Sequence, residues 1–182
     1  MDKVYKTMGS KGNEPRQSED FYETPEIAVR KLLHVESFCD NILEPACGKG
    51  AISKILAENH KVHSYDLMDR GYGQQKDFFE IDSFSGDIIT NPPYNKDILL
   101  KFVEHAMELL EPNRKCAMLL KIQFLESKSR RVFFEKYPPK NVYVFSERIS
   151  CLKEGVPAPS AMCYCWYVWQ KGFNGKPTLD WI

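Results

Sequence analysis

Two periods of hydrophobic residues alternate along this chain. Residues 1–20 have neither; they are polar, carry Gly9, Gly12 and Pro15, and are expected to form a flexible N-terminal arm. Thr24-Pro25-Glu26 has the form of a helix start, with Thr as N-cap, Pro in the first helical position and Glu in the first turn. That helix is expected from about Pro25 to His34, burying Ile27, Leu32 and Leu33. Asn41-Ile42-Leu43 is a short apolar strand, and Ala51 to Asn59 follows as a helix with Ile52, Ile55 and Leu56 on one face. Lys61 to Tyr65 and Asp87 to Thr90 read as strands, and Ile98 to Leu110 as a helix with apolar residues at steps of three and four. Cys116 to Ile122 is almost wholly apolar, as a strand buried on both faces should be. Ser127 to Tyr137 reads as a basic helix. Val142 to Phe145 and Ala161 to Trp169 are further strands, with a long loop between them.

Strands alternating with helices predict an α/β fold with a mostly parallel sheet. The length of 182 residues suits one domain, expected over residues 21–172 with a tail at 173–182, and leaves no room for a separate target-recognition domain. At 43% hydrophobic residues the chain can pack a core, which excludes a disordered class. Its 25 basic and 25 acidic residues cancel, so any affinity for nucleic acid must come from a local patch. No apolar stretch is long enough to span a bilayer, and the start lacks the apolar core of a signal peptide, so the chain is expected in the cytoplasm. Its six cysteines form no Cys-x-x-Cys pair; they are expected to be reduced core thiols, with no metal site.

In an open parallel sheet, ligands bind beyond the carboxyl ends of the strands, where the strand order reverses. Four polar features fall at such ends. The first is Glu44-Pro45-Ala46-Cys47-Gly48-Lys49-Gly50, between strand and helix, where glycines allow close approach of backbone to a ligand. It lacks the pattern of a phosphate-binding loop, and Glu44 suits a ligand with positive charge. Asp66, followed by Leu67, lies where a carboxylate can accept both ribose hydroxyls of a nucleoside, although solvated aspartates are also common at strand ends. Asp77 and Phe78 offer an acceptor for an adenine amino group and a ring to pack on it, or alternatively a turn followed by a core aromatic.

The fourth is Asn91-Pro92-Pro93-Tyr94. Two successive prolines end the strand in a rigid turn. The Asn91 side chain and the Pro92 carbonyl can then converge on the two hydrogens of a planar amino group, with the Tyr94 ring beside them. The lone pair of such an amine is delocalised into its ring. Accepting both hydrogens draws charge onto the nitrogen and eases attack.

Taken together, these residues resemble the class I S-adenosylmethionine-dependent methyltransferases, and among them the amino-methyltransferases with an Asn-Pro-Pro-Tyr catalytic motif. The resemblance covers roughly residues 21 to 170 and implies a Rossmann-like domain with a seven-stranded sheet and helices on both faces. It implies that Phe21-Tyr22-Glu23-Thr24-Pro25 lines the methionine end of S-adenosyl-L-methionine. The Glu44–Gly50 loop, Asp66 with Leu67, and Asp77-Phe78 would bind the rest of the cofactor. Asn91 and Pro92 would hold the target amine while Tyr94 stacks on an extruded base. The usual aromatic residue after the sixth strand is absent, and Phe124 is the expected substitute.

The motif serves N6 of adenine in DNA or RNA, and glutamine amides. Residues 114–153 carry ten basic residues against three acidic ones, which suits phosphate tracking by Lys128, Arg130, Arg131 and Arg148 along the sheet end, or else an ordinary solvated helix. A nucleic-acid substrate is therefore expected, DNA before RNA. A partner chain supplying target recognition and a non-catalytic binding module are the alternatives.

Overall fold

A computed structural model describes residues 22–153, 156–157 and 162–182; the expected arm and Phe21 lie outside them. The chain begins with helix α1 (Glu26–Val35), strand β1 (Asn41–Glu44), the single-turn α2 (Ser53–Leu56), β2 (Lys61–Asp66) and β3 (Gln74–Gln75). A 3-10 turn at Phe78–Glu80 precedes β4 (Asp87–Thr90), α3 (Lys96–Leu109) and β5 (Lys115–Lys121). A second, at Ile122–Leu125, leads to α4 (Lys128–Lys136) and β6 (Asn141–Val144). The short strands β7 (Leu152–Lys153) and β8 (Val156–Pro157) pair with each other, followed by β9 (Tyr164–Gln170) and β10 (Thr178–Trp181).

The main sheet has eight strands in the order β10-β6-β9-β5-β4-β1-β2-β3. All run parallel except β9, which is antiparallel to both of its neighbours. From β1 the chain steps outward to β2 and β3, and from β4 it steps the other way to β5. The order therefore reverses between β1 and β4, which opens a crevice beyond their carboxyl ends.

The strand alternation builds a core on each face. Leu43, Ile88, Met118, Leu120, Tyr167 and Trp169 face α3, α4 and Phe78. Their neighbours Ile42, Ile89, Ala117, Leu119, Trp166 and Val168 face α1 and α2. The two buried indoles find acceptors in backbone carbonyls: Trp166 Nε1 donates to Ala28 O at 2.8 Å and Trp169 Nε1 to Tyr137 O at 3.1 Å. At the amino ends of the strands, the Asp87 carboxylate accepts from the backbone N–H groups of Cys39 and Lys115, each at 2.7 Å. Beside it the Glu36 carboxylate takes the Lys115 ammonium at 2.7 Å, the Tyr143 hydroxyl at 2.8 Å and the Asn141 amide. Burial works to raise the Glu36 carboxyl, but these three donors together hold it below the ordinary carboxylate range.

Several expectations change. The sheet has eight strands where seven were expected, and the expected tail at 173–182 supplies β10 at its edge, parallel to β6. Ile27 is half exposed, because the buried face of α1 is Ala28, Val29 and Leu32. Thr24 does not cap α1; Pro25 holds the N-cap position without a side-chain bond. The six cysteines are unpaired, and four are buried. Among the described residues no helix is long and apolar enough to cross a membrane.

Candidate active site

The crevice between β1 and β4 gathers the expected motifs. After β1, Gly48 and Gly50 adopt φ of 55° and 81°, which L side chains rarely adopt. The turn closes with Gly50 N–H donating to Cys47 O at 2.8 Å. The ring of Tyr72 lies so close to Gly50 that an added Cβ would stand 2.6 Å from it. Asp66, at the end of β2, accepts from the Gly48 N–H at 2.8 Å through one carboxylate oxygen and from the Met68 N–H at 3.0 Å through the other. It therefore fixes the loop in place, and each oxygen keeps acceptor capacity for a further donor. Leu67 beside it is exposed.

Glu44 stands differently from the expectation. It is 1% exposed, and the Ser53 hydroxyl donates to its carboxyl from beneath the loop, with Ser64 Oγ 2.6 Å farther on. Burial pushes the Glu44 carboxyl up to about 8, against the Ser53 hydrogen bonds, and the nearby charge of Asp66 adds to the rise. The residue supports the loop as a largely neutral acid and does not open toward a cationic ligand. Pro45, Cys47 and Gly48 are buried with it, and Ala46 is half-buried. Burial also pushes the Cys47 thiol up to about 12, with Glu44 and Asp66 contributing, which makes it an inert packing group.

At the end of β4, Asn91 ties two motifs together. Its Nδ2 donates to Thr24 Oγ1 at 3.1 Å and to Tyr22 O at 3.3 Å, while its Oδ1 accepts from the Tyr94 hydroxyl at 2.6 Å. Thr24 is thus used by the site and not by α1. A Glu23–Lys49 ion pair at 3.6 Å links the same N-terminal segment to the glycine loop. Tyr94 O–H also reaches Leu119 O at 3.0 Å, the Lys121 ammonium lies 5.3 Å from the centre of its ring, and Tyr164 packs at 6.1 Å. Burial, with Cys151 and Tyr164 nearby, raises the Tyr94 phenol well above its ordinary value, so it remains a donor. Pro92 is buried and Pro93 exposed.

Other expected site residues fall elsewhere. Phe78 is 3% exposed and packs on Phe102 at 4.4 Å and His105 at 4.7 Å, while Asp77 caps its turn by accepting from Phe79 N–H at 2.9 Å. Phe124 is 4% exposed among Phe133, Phe134, Tyr167 and Trp169, so it is a core residue and no clasp for a base. Arg130 donates to the carbonyls of Gln123, Phe124 and Glu126, at 2.8, 2.8 and 3.1 Å, and so closes the turn before α4. Arg131 pairs with Glu135 along the same helix. The expected basic stripe is divided between the two ends of the sheet. Arg114, Lys115 and Lys140 stand at amino ends of strands, with Lys115 bound to Glu36; Lys121, Lys128 and Arg148 stand toward the crevice end. Tyr72, Lys121 and Tyr164 also stand against the glycine loop or Tyr94, beyond the motifs singled out in the sequence. Only Lys121, a cation closing an apolar strand, carries a signal that could have found it.

No family model and no curated protein matches the chain. Among solved structures it is similar to the M protein of the type I restriction enzyme EcoKI, with a TM-score of 0.63 and 14% identity over 87% of this chain and 48% of that one. A candidate class I S-adenosylmethionine-dependent methyltransferase from Listeria monocytogenes gives 0.60 and 16%, over 88% and 65%. A candidate RNA methyltransferase from Pyrococcus horikoshii gives 0.62 and 15%, over 85% and 89%. The chain thus spans about half the length of the restriction subunit. Its fold is the Rossmann-like fold of the class I methyltransferases.

Proposed function

We propose that this protein is an S-adenosyl-L-methionine-dependent methyltransferase acting on a planar exocyclic amine, with N6 of adenine in DNA as the favoured target. The observation that carries this reading is the placement of Asn91. Its side chain is anchored at the strand-order reversal, next to a glycine loop whose positive-φ backbone and Asp66 brace suit a nucleoside ligand. Asp66 and the Glu44–Gly50 loop would hold the cofactor with Tyr22 and Thr24, and the cofactor supplies an electrophilic methyl group on a sulfonium centre. Asn91 Oδ1 and the Pro92 carbonyl accept the two amine hydrogens. This polarisation grows as the nitrogen attacks, so it lowers the barrier more than it strengthens ground-state binding. Holding the amine in line contributes through proximity, and no group of the chain needs to form a covalent intermediate. Tyr94 supplies a ring for the target base.

DNA is favoured by the resemblance to restriction modification subunits, and the same resemblance suggests a partner chain for target recognition. The cations toward the crevice end, Lys121, Lys128 and Arg148, are suited to phosphates. The test is incubation with labelled cofactor and separate pools of DNA, RNA and protein, followed by mass spectrometry of the product. Methyl-adenine in DNA is the expected product. Asn91→Ala should abolish transfer while cofactor is still bound, and near-full activity in that variant would refute the assignment.

A further inference from the structure

Asn91 has no unused donor. Both hydrogens of its amide point at acceptors, Tyr22 O and Thr24 Oγ1, so the orientation of the amide is set and Oδ1 faces the Asn-Pro-Pro-Tyr turn. The Tyr94 hydroxyl already takes one of the two lone pairs of that oxygen, at 2.6 Å. A hydroxyl has a single hydrogen, and here it is shared between Asn91 Oδ1 and Leu119 O, the latter 3.0 Å away. The ring that carries it is half-buried, touches both sheet cores, and is flanked by the Lys121 ammonium and by Tyr164. The two tasks assigned above conflict with this placement. An amine arriving at Asn91 Oδ1 must share that oxygen with the phenol hydrogen or displace it, and a base seeking the Tyr94 ring finds part of it covered.

We propose that Tyr94 is a two-position gate: in the closed position its hydroxyl holds Asn91 Oδ1, and an incoming amine replaces it there as the ring swings out to stack on the base. This rests on the proposed amine-methylating function and adds to it how access is regulated. One motion releases the acceptor and exposes the ring, so neither occurs without the other. The phenol keeps its hydrogen over the working pH range because burial disfavours the phenolate, so the gate is set by ligand and not by pH. The Lys121 ammonium over the ring and the Leu119 carbonyl hold the closed position.

Closing reduces the fraction of protein able to bind, and apparent affinity falls by that fraction. Tyr94→Phe keeps the ring and removes the hydroxyl. At the net worth of one hydrogen bond, affinity should rise by about three- to tenfold. The experiment measures binding of a fluorescent single-stranded, adenine-containing oligonucleotide in the presence of S-adenosylhomocysteine, with an adenine-free oligonucleotide as control. Tighter binding by Tyr94→Phe than by the wild type, confined to the adenine-containing strand, is the expected result. Equal or weaker binding overturns the gate and leaves the proposed function standing. Failure of both proteins to bind overturns the gate and the amine-binding reading together. Should Tyr94→Phe not fold, the wild type labelled with 13C-tyrosine decides: the Tyr94 ring signal must move when the oligonucleotide is added, and a signal that stays in place overturns the gate.

Discussion

Replacing Glu44 by glutamine should change how stability depends on pH, and the structure gives the size of the change. The carboxyl lies 1% exposed beneath the glycine loop, with the Ser53 hydroxyl on one side and the charge of Asp66 nearby. Its folded pKa stands at about 8 against an ordinary value of 4.5. Below 4.5 the group is neutral in both the folded and the unfolded chain. Between the two values the folded state holds a proton that the unfolded state has released, so stability falls as pH rises through this window. Each pH unit of that interval corresponds to about 1.4 kcal/mol, which makes the loss roughly 5 kcal/mol by the alkaline end. For a domain whose whole stability is on the order of 10 kcal/mol, that is a large share. Glu44→Gln carries no titrating proton and keeps an oxygen for the Ser53 hydroxyl. Urea unfolding of the cofactor-free proteins at intervals from pH 5 to pH 9 would compare them. The wild type should lose stability from pH 5 to about pH 8 and level off above it, and the variant should show a much flatter profile and be the more stable of the two above pH 8. Parallel profiles would refute the assignment of a buried neutral acid at this position.

Three further outcomes are expected. Gly50→Ala should cost about 1–3 kcal/mol, because the new methyl meets the Tyr72 ring at 2.6 Å and the backbone holds φ at 81°; thermal melts should show part of the loss recovered in Gly50→Ala/Tyr72→Ala, which removes the clash alone. Lys115→Met should cost about 3–5 kcal/mol by stranding the Glu36 carboxylate without its cation. Because the folded Glu36 pKa is depressed, its contribution is present at neutral pH and is lost as pH falls through the folded value, so acid titration followed by circular dichroism should unfold the variant at higher pH than the wild type. Thr90→Val should add about 1 kcal/mol in urea melts, since Thr90 Oγ1 is buried without a hydrogen-bond partner among the described residues.

The parts of the fold legible in the sequence are those in which side-chain burial decides the conformation. The apolar run of β5 marked a strand covered on both faces, and the apolar stretch from Ala161 to Trp169 marked β9 as a strand. The edge strands were not legible. Gln74–Gln75 and Thr178–Trp181 are exposed, and their strand conformation comes from backbone pairing with β2 and β6, which leaves no hydrophobic pattern. Asn91, Asp66 and the glycines were singled out as candidates by their positions at strand ends, and the structure places them together at the crevice. The surroundings of Phe124, Phe78 and Arg130 were not legible because each depends on a distant element packing over it: α4 covers Phe124, α3 covers Phe78, and the turn before α4 takes up the Arg130 guanidinium. The basic segment was misread for a related reason. A count along the chain ignores that a seven-residue strand separates Lys115 from Lys121, which places the two cations at opposite ends of the sheet.

The position of β9 carries a consequence for synthesis. Residues 164–170 fit between β5 and β6, both made earlier, so the emerging chain carries two hydrophobic strand flanks with an open slot between them until this segment leaves the ribosome. Until then the partly made sheet offers unpaired backbone to any extended segment nearby. A ribosome-stalled chain ending before residue 164 should accordingly engage chaperones strongly, and release from them should coincide with the insertion of Trp166, Tyr167 and Trp169.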